Sequence, residues 1–433
     1  MTLVPKPTPG DTSWFVHDRF GLFIHWGLYA LGARHEWLKS RERIDTAAYR
    51  KYFDHFDPDL YDPDAWAAAA ADCGMKYFVV TTKHHEGFCL WDSDQTDYKA
   101  PNTPAGRDLL APMVEAFRAR DFRVGFYHSL LDWHHPDYTT DRCHPQRDDP
   151  EYVARDAARD MGRYADYLHA QTRELLTRFG KIDVMWYDFS IEPDGDRPGK
   201  GKDEWRSEEL VRLVRELQPG IIMNNRLQIE QDFRTPEQFM PREWLRMEDG
   251  TPVLWEACHT FSGSWGYHRD EASWKSVDQL VKMLIEAVSK GGNLLLNVGP
   301  TGRGEFDERA LSRMAGIGEW MKRHGRSIYG CTQAPGEFPR PDNCLYTWNP
   351  ATRRLYLHVL SWPFGHVHLD GIRSRVEYAQ LLNDASEVKM LEGVPQAAWH
   401  GMRDGRAAET LTLELPVVKP NVTVPVVELF LKD

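Results

Sequence analysis

The sequence lacks an excess of basic charge: 53 Lys and Arg stand against 65 Asp and Glu, a formal net charge of −12. Nucleic acid and anionic membrane surfaces call for a basic face, so neither is expected as a partner. No apolar run is long enough to span a membrane. Met1–Gly10 has one Lys, three Pro and no apolar stretch of the kind a signal peptide carries, so the expectation is a soluble, cytoplasmic protein. The six cysteines are scattered without CxxC spacing, which indicates neither a zinc ribbon nor a redox motif. No GxGxxG follows an early strand, which weakens a dinucleotide-binding reading, and no GxSxG elbow marks a serine hydrolase. The first 300 residues contain no HExxH or HxH; the single HxH, His366-Val367-His368, lies far downstream. Solenoid repeats and low-complexity tracts are absent as well.

Aromatic residues are abundant, at 12% of 433 residues with 16 Trp. Such rings stack on the apolar faces of sugars, and they also fill cores. From Phe20 onward, strand-like and helix-like segments alternate. Strand patterns fall at Phe20–Gly27, Tyr77–Lys83, Arg123–Ser129, Ile182–Asp188, Ile221–Asn224, Val253–Ala257 and Asn293–Val298. Helical patterns fall at Pro63–Gly74, Asp108–Arg120, Glu151–Phe179, Ser207–Leu217, Val277–Ser289 and Asp307–His324. This alternation predicts parallel strands joined by crossover helices. About seven strands before residue 300 suit an α/β architecture of the (β/α)8-like TIM barrel class, assigned to residues 1–332. After Gly330 the pattern becomes short apolar strands between Pro, Gly and Asn, which predicts a C-terminal all-β sandwich over 333–433.

The stretch Ile182-Asp183-Val184-Met185-Trp186-Tyr187-Asp188 carries the most information. Side chains alternate on a strand, so Ile182, Val184, Trp186 and Asp188 share one face. Chemistry in a (β/α) barrel sits at the C-terminal ends of the strands, where Asp188 falls. It is either a loop cap or a catalytic carboxylate. His25, Glu36-Trp37, His84-His85, Tyr127-His128 and Asn224-Asn225-Arg226 fall at the same end of other strands. Adjacent histidines on a strand point to opposite faces, which argues against His84 and His85 sharing a metal. The carboxylates Glu36, Asp188, Glu237 and Glu256 offer the pair that glycosidic bond cleavage requires. A metal-dependent hydrolase and a non-catalytic sugar-binding module stay open as alternatives.

Taken in order, these residues resemble the α-L-fucosidases of glycoside hydrolase family 29. Phe20–Gly27 is similar to the family's FGxFIHWG, His35-Glu36-Trp37 to its EW segment, and Lys83–Phe88 with Trp91 to KHHDGFxLW, here with Glu86 in place of the commoner Asp. Gly125–Ser129 with Asp132-Trp133 resembles GxYYSxxDW, with His128 replacing the second Tyr. Asp183–Asp188 resembles DxxWxD, Asn224–Arg226 NxR, and Asp232–Glu237 DFxTxE. Trp255-Glu256, Ser264–Tyr267 and Lys290–Pro300 complete the order.

The resemblance implies a retaining exo-fucosidase that needs no metal or organic cofactor and acts on oligosaccharides carrying α-L-fucose, in the manner of the broad-specificity branch. It implies Asp188 as nucleophile and Glu237 as general acid/base, with Glu256 as the rival. Hydroxyl contacts are implied from His25, Glu36, His84, His85, Tyr127 and Arg226, and a sugar-lining role for Trp37 and Trp186. Asp188 is expected to stay ionised beside Arg226, and Glu237 to sit in the drier setting. The loops Glu192–Lys202 and Glu237–Asp249 are expected to face the leaving group, and a homo-oligomer is compatible with the sequence.

Overall fold

The β-branched and aromatic runs of the first 300 residues form seven short strands: β1 (Phe20–Ile24), β2 (Tyr77–Lys83), β3 (Arg123–Ser129), β4 (Val184–Asp188), β5 (Ile222–Met223), β6 (Glu256–Thr260) and β7 (Asn293–Val298). The structure is a computed structural model that describes residues 5–193, 195, 199–391 and 407–432. The strands form one parallel sheet in the order β5-β4-β3-β2-β1-β7-β6. Helices follow most strands, as crossover connections between parallel neighbours require.

The sheet is curled, and alternation sorts its side chains. Phe23, Val79, Tyr127, Val184, Trp186, Ile222 and Leu295 form an inner aromatic and aliphatic cluster. Leu22, Phe78, Phe126, Met185, Tyr187 and Leu296 face outward into the helix-packed core. Trp14 and Phe15 meet Tyr77, the first residue of β2, with ring centroids 5.5 and 6.0 Å away, and so fill the end where the strands begin. Ile182 departs from the expectation: it joins the outer core, because the strand starts only at Val184 and the alternation does not reach back to it.

Residues 232–238 run between the two sheet edges. Met223 O accepts from the Asp232 N–H (3.0 Å), Arg234 N–H donates to Leu254 O (3.0 Å), and Cys258 N–H donates to Pro236 O (3.0 Å). Isolated parallel bridges Asn224–Phe233, Arg234–Trp255 and Glu237–Cys258 follow the same path. Pro236 has no N–H to give a ladder, so the segment stays irregular.

One helix and one strand depart most from the pattern. The expected helix Glu151–Phe179 is broken into Pro150–Ala154 and Met161–Arg178, because Asp160 caps the second piece by accepting from the Gly162 N–H. The expected strand Val253–Ala257 begins three residues later, at Glu256.

Beyond the last α-helix of this half, Glu308–His324, the described residues form C-terminal antiparallel sheets of five and three strands. Leu355, Leu357, Leu413, Val427 and Leu429 from both sheets share one core. His366 and His368 lie on the exposed face of the strand His366–Leu369 there, apart from the pocket described next.

Candidate active site

At the C-terminal ends of the parallel strands, Phe23, His25, Glu36, Trp37, His84, His85, Tyr127, Trp186, Asp188, Phe189, Glu237, Cys258 and Trp265 line a pocket of about 320 Å³. Of the ten catalytic and sugar-contacting residues that the resemblance implied, nine line it; the tenth, Arg226, reaches the two carboxylates from the side. Strand alternation places Asp188 two residues beyond Trp186 on the inner face of β4. Asp188 Oδ2 accepts the Tyr127 hydroxyl at 2.8 Å, and Oδ1 accepts Arg226 Nη1 at 3.0 Å. The other arm of the same guanidinium, Nη2, donates to Glu237 Oε2 at 2.8 Å. Arg226 Nε donates to Thr235 Oγ1 at 2.8 Å, and the guanidinium lies over Trp186 at 5.1 Å. A planar fork held this firmly fixes both carboxyl groups relative to each other, which a lysine could not do.

The electrostatics reverse one expectation. Burial pushes the Asp188 carboxyl up to about 6; Arg226 and the Tyr127 hydroxyl oppose the rise, and the charge of Glu237 adds to it. The Glu237 side chain is 41% exposed against 13% for Asp188. Asp188 is therefore the drier group, because β4 ends inside the aromatic cup while Glu237 sits at its mouth on the irregular 232–238 segment.

The histidine expectation is corrected as well. His84 and His85 both line the pocket, with ring centroids 4.0 Å apart. They follow the last residue of β2, so strand alternation no longer separates them. Two hydrogen-bond chains set tautomers. Asn297 Nδ2 donates to Trp265 O (2.7 Å), so its Oδ1 must accept from His25 Nδ1–H (2.6 Å). Ser129 Oγ donates to Leu131 O (2.8 Å) and accepts from His85 Nδ1–H (2.6 Å). Each ring then carries an unprotonated Nε2, and that of His85 is 4.0 Å from Asp188 Oδ2. Burial holds His25 down at about 3 and puts His84 and His85 well below the usual imidazole range, so all three are neutral. Among the described residues, no three His, Cys, Asp or Glu side chains gather as metal ligands.

Glu36 is buried, its carboxyl raised by desolvation, and Oε2 accepts the Gly266 N–H at 2.8 Å. A Cβ on Gly266 would come within 2.9 Å of the Glu36 nitrogen, so this approach needs glycine. Trp37 is wedged edge-on against His85 and Trp133. His128 and Asn224 lie outside the pocket: His128 contacts Thr82 on the outer face of the sheet, and Asn224 ties its amide to the Tyr187 backbone.

Glu256 lies beneath the pocket rather than in it, with Oε2 accepting Tyr77 OH (2.6 Å) and Oε1 accepting Trp186 Nε1 (3.2 Å). It orients the tryptophan. Burial pushes its carboxyl up to about 7, with both donors opposing the rise. A raised folded-state pKa means that this group's contribution to stability is complete below the ordinary carboxylate value and is lost as pH climbs through about 7. Glu256→Gln should therefore flatten the decline of stability between about pH 4.5 and pH 7, read from denaturant midpoints. An unchanged slope would contradict this assignment.

Sequence reasoning missed Phe23, Phe189, Cys258 and Trp265. Alternation could have found Phe23, two residues before His25 on β1. Phe189 could not be found that way, because it turns into the pocket through a left-handed backbone (φ 78°) just past β4.

The sequence profile described as alpha-L-fucosidase matches residues 7–326. Among solved structures, α-L-fucosidase isoenzyme 1 from Paenibacillus thiaminolyticus is 44% identical, with a TM-score of 0.90 over 98% of this chain and 99% of that one. An α-L-fucosidase from Bacteroides thetaiotaomicron, solved as a trapped covalent intermediate with 2-fluoro-fucosyl fluoride, is 27% identical, with a TM-score of 0.83 over 100% of this chain and 98% of that one. Tissue alpha-L-fucosidase of Mus musculus is 28% identical over 388 residues, 84% of this chain and 80% of that protein.

Proposed function

Because this chain belongs to the α-L-fucosidase family, we propose that its pocket removes terminal α-L-fucosyl groups from glycoconjugates and oligosaccharides, with retention of anomeric configuration. The observation that carries the reading is the single Arg226 guanidinium joining Asp188 inside the pocket to Glu237 at its mouth. Retaining glycosidases hold two carboxyl groups ~5–5.5 Å apart, close enough for one to attack the anomeric carbon while the other protonates the departing oxygen.

In this scheme Asp188 is the nucleophile and Glu237 the general acid/base. Asp188, raised to about 6, is ionised at neutral pH and able to attack. A bound sugar covers Glu237 and takes water from it, which favours the neutral, donating form. The covalent fucosyl–Asp188 ester is then hydrolysed by water that Glu237 deprotonates. The unprotonated Nε2 atoms of His25 and His85 accept hydrogen bonds from sugar hydroxyls. Glu36, His84, Tyr127 and Arg226 complete the polar wall, and Trp37 and Trp186 belong to the aromatic one. Fucose is a 6-deoxy sugar, and the aromatic lining suits its methyl group. The position of Glu256 beneath Trp186 supports a positioning role for it, and Glu237 as the proton donor.

The same reading extends to the fold. A (β/α)8-like barrel closed through residues 232–238, followed by a β sandwich over 333–433, of which 392–406 and 433 lie outside the described residues, is supported by the bridges on both flanks of that segment and by the shared core of the C-terminal sheets.

The direct test is proton NMR of the first-formed sugar from an aryl α-L-fucoside. The α anomer of fucose is expected to appear first; the β anomer would refute a double displacement. The pH profile gives a second prediction. The acidic limb of kcat/KM, which reports the free enzyme, is expected near pH 6, where Asp188 gains its proton. Arg226 lowers the Asp188 pKa, so Arg226→Ala should move that limb to higher pH as well as weaken binding. A limb that stays in place would show that another group sets it.

A further inference from the structure

Beside the fucose pocket lies a second, open cleft of about 910 Å³, joined to it through Glu36 and Trp265. Its other walls are polar: His35, Arg41, Gln238, Ser264, Ser273 and Lys275. Gln238 immediately follows Glu237, so the cleft opens on the side from which the proton is delivered. A departing sugar has to occupy that side, since the donor must reach the glycosidic oxygen.

The walls are preorganised. Ser264 Oγ and Ser273 Oγ both donate to Glu271, at 2.9 and 2.6 Å, and Lys275 Nζ donates to Thr260 O at 2.6 Å. Gln238 donates its amide to Thr260 Oγ1 at 3.0 Å, which leaves the amide carbonyl as an acceptor.

One contact in the cleft is frustrated. His35 Nδ1 accepts the Trp37 backbone N–H at 2.9 Å, so the ring proton of a neutral His35 sits on Nε2. Arg41 Nη1 lies 3.1 Å from that same Nε2. A guanidinium has only donors, so two N–H groups face each other there. The Trp37 amide is fixed by the backbone and cannot exchange partners, whereas Arg41 is exposed. An acceptor oxygen placed against both donors would relieve the conflict.

We propose that this cleft is the subsite for the sugar released from fucose, and that Arg41 together with His35 Nε2–H binds an acceptor oxygen on that sugar, an acetamido carbonyl or a carboxylate. The proposal rests on the fucosidase reading and adds a leaving-group preference to it. It also shifts attention from the loop Glu192–Lys202, part of which lies outside the described residues, to Arg41 and the 262–275 segment.

The experiment compares three fucosides on wild type and Arg41→Ala: an aryl α-L-fucoside with no acceptor at this position, fucosyl-N-acetylglucosamine, and fucosyl-glucose, which offers hydroxyls only. Arg41→Ala should leave kcat/KM on the aryl fucoside within about twofold of wild type. It should lower kcat/KM on the N-acetylglucosamine substrate about tenfold, the size expected for one charge-assisted hydrogen bond. It should affect the glucose substrate less. Equal effects on all three substrates, or none on any, would overturn the subsite. Failure of the wild-type protein to cleave even the aryl fucoside would overturn the underlying functional reading instead. A thermal midpoint matching wild type confirms that the variant is folded.

Discussion

Asp188→Ala is expected to lower turnover of an aryl α-L-fucoside on the order of 10⁴-fold or more while the protein stays folded. The effect is large because no other carboxylate can replace it. Glu237 is held at the mouth by Arg226, Glu256 lies below Trp186, and Glu36 is committed to the Gly266 N–H. The cost in stability is small by comparison. At neutral pH Asp188 is a desolvated charge, and its removal leaves Arg226 paired with Glu237. The check is kcat on the aryl fucoside alongside a thermal midpoint. Near-wild-type turnover would remove Asp188 from the mechanism.

Glu237→Ala is expected to slow turnover ~10²–10⁴-fold, the usual worth of a positioned acid/base. The loss should be smallest for substrates with good leaving groups, which depart without protonation. The fucosyl–enzyme would then persist, and azide, which needs no general base, should restore turnover and yield an α-L-fucosyl azide. Glu256→Ala should behave differently. It leaves the Tyr77 hydroxyl and the Trp186 indole N–H without their buried acceptor, at a cost of about 1–3 kcal/mol each. Azide cannot repair that loss. Rescue of Glu256→Ala but not of Glu237→Ala would exchange the two assignments.

These predictions depend on information of two kinds. Local pattern was enough for the strands that form the pocket floor. Tyr77–Lys83, Arg123–Ser129 and Asn293–Val298 have the same limits in the structure as in the sequence. The reason is that strands buried on both faces must be continuously apolar, and a turn residue has to end them. The segment 232–238 was legible only as a motif, because Pro236 and its charged neighbours hide a strand that pairs irregularly on both sides. The break at Asp160 in the long helical stretch was hidden as well, since a cap competes with the helical periodicity around it.

By itself the sequence determined the alternating architecture, the family, and the side chains that gather at the strand ends. Those follow from periodicity and from motifs short enough to be read along the chain. Only the tertiary structure decided how the groups act on one another. It made Asp188 rather than Glu237 the drier carboxylate and brought His84 and His85 to the same side. It also placed Glu256 under Trp186 and set Arg41 against a histidine that has no lone pair to offer. Solvent exposure, tautomers and shared guanidinium contacts arise between residues far apart in sequence, so no local pattern encodes them.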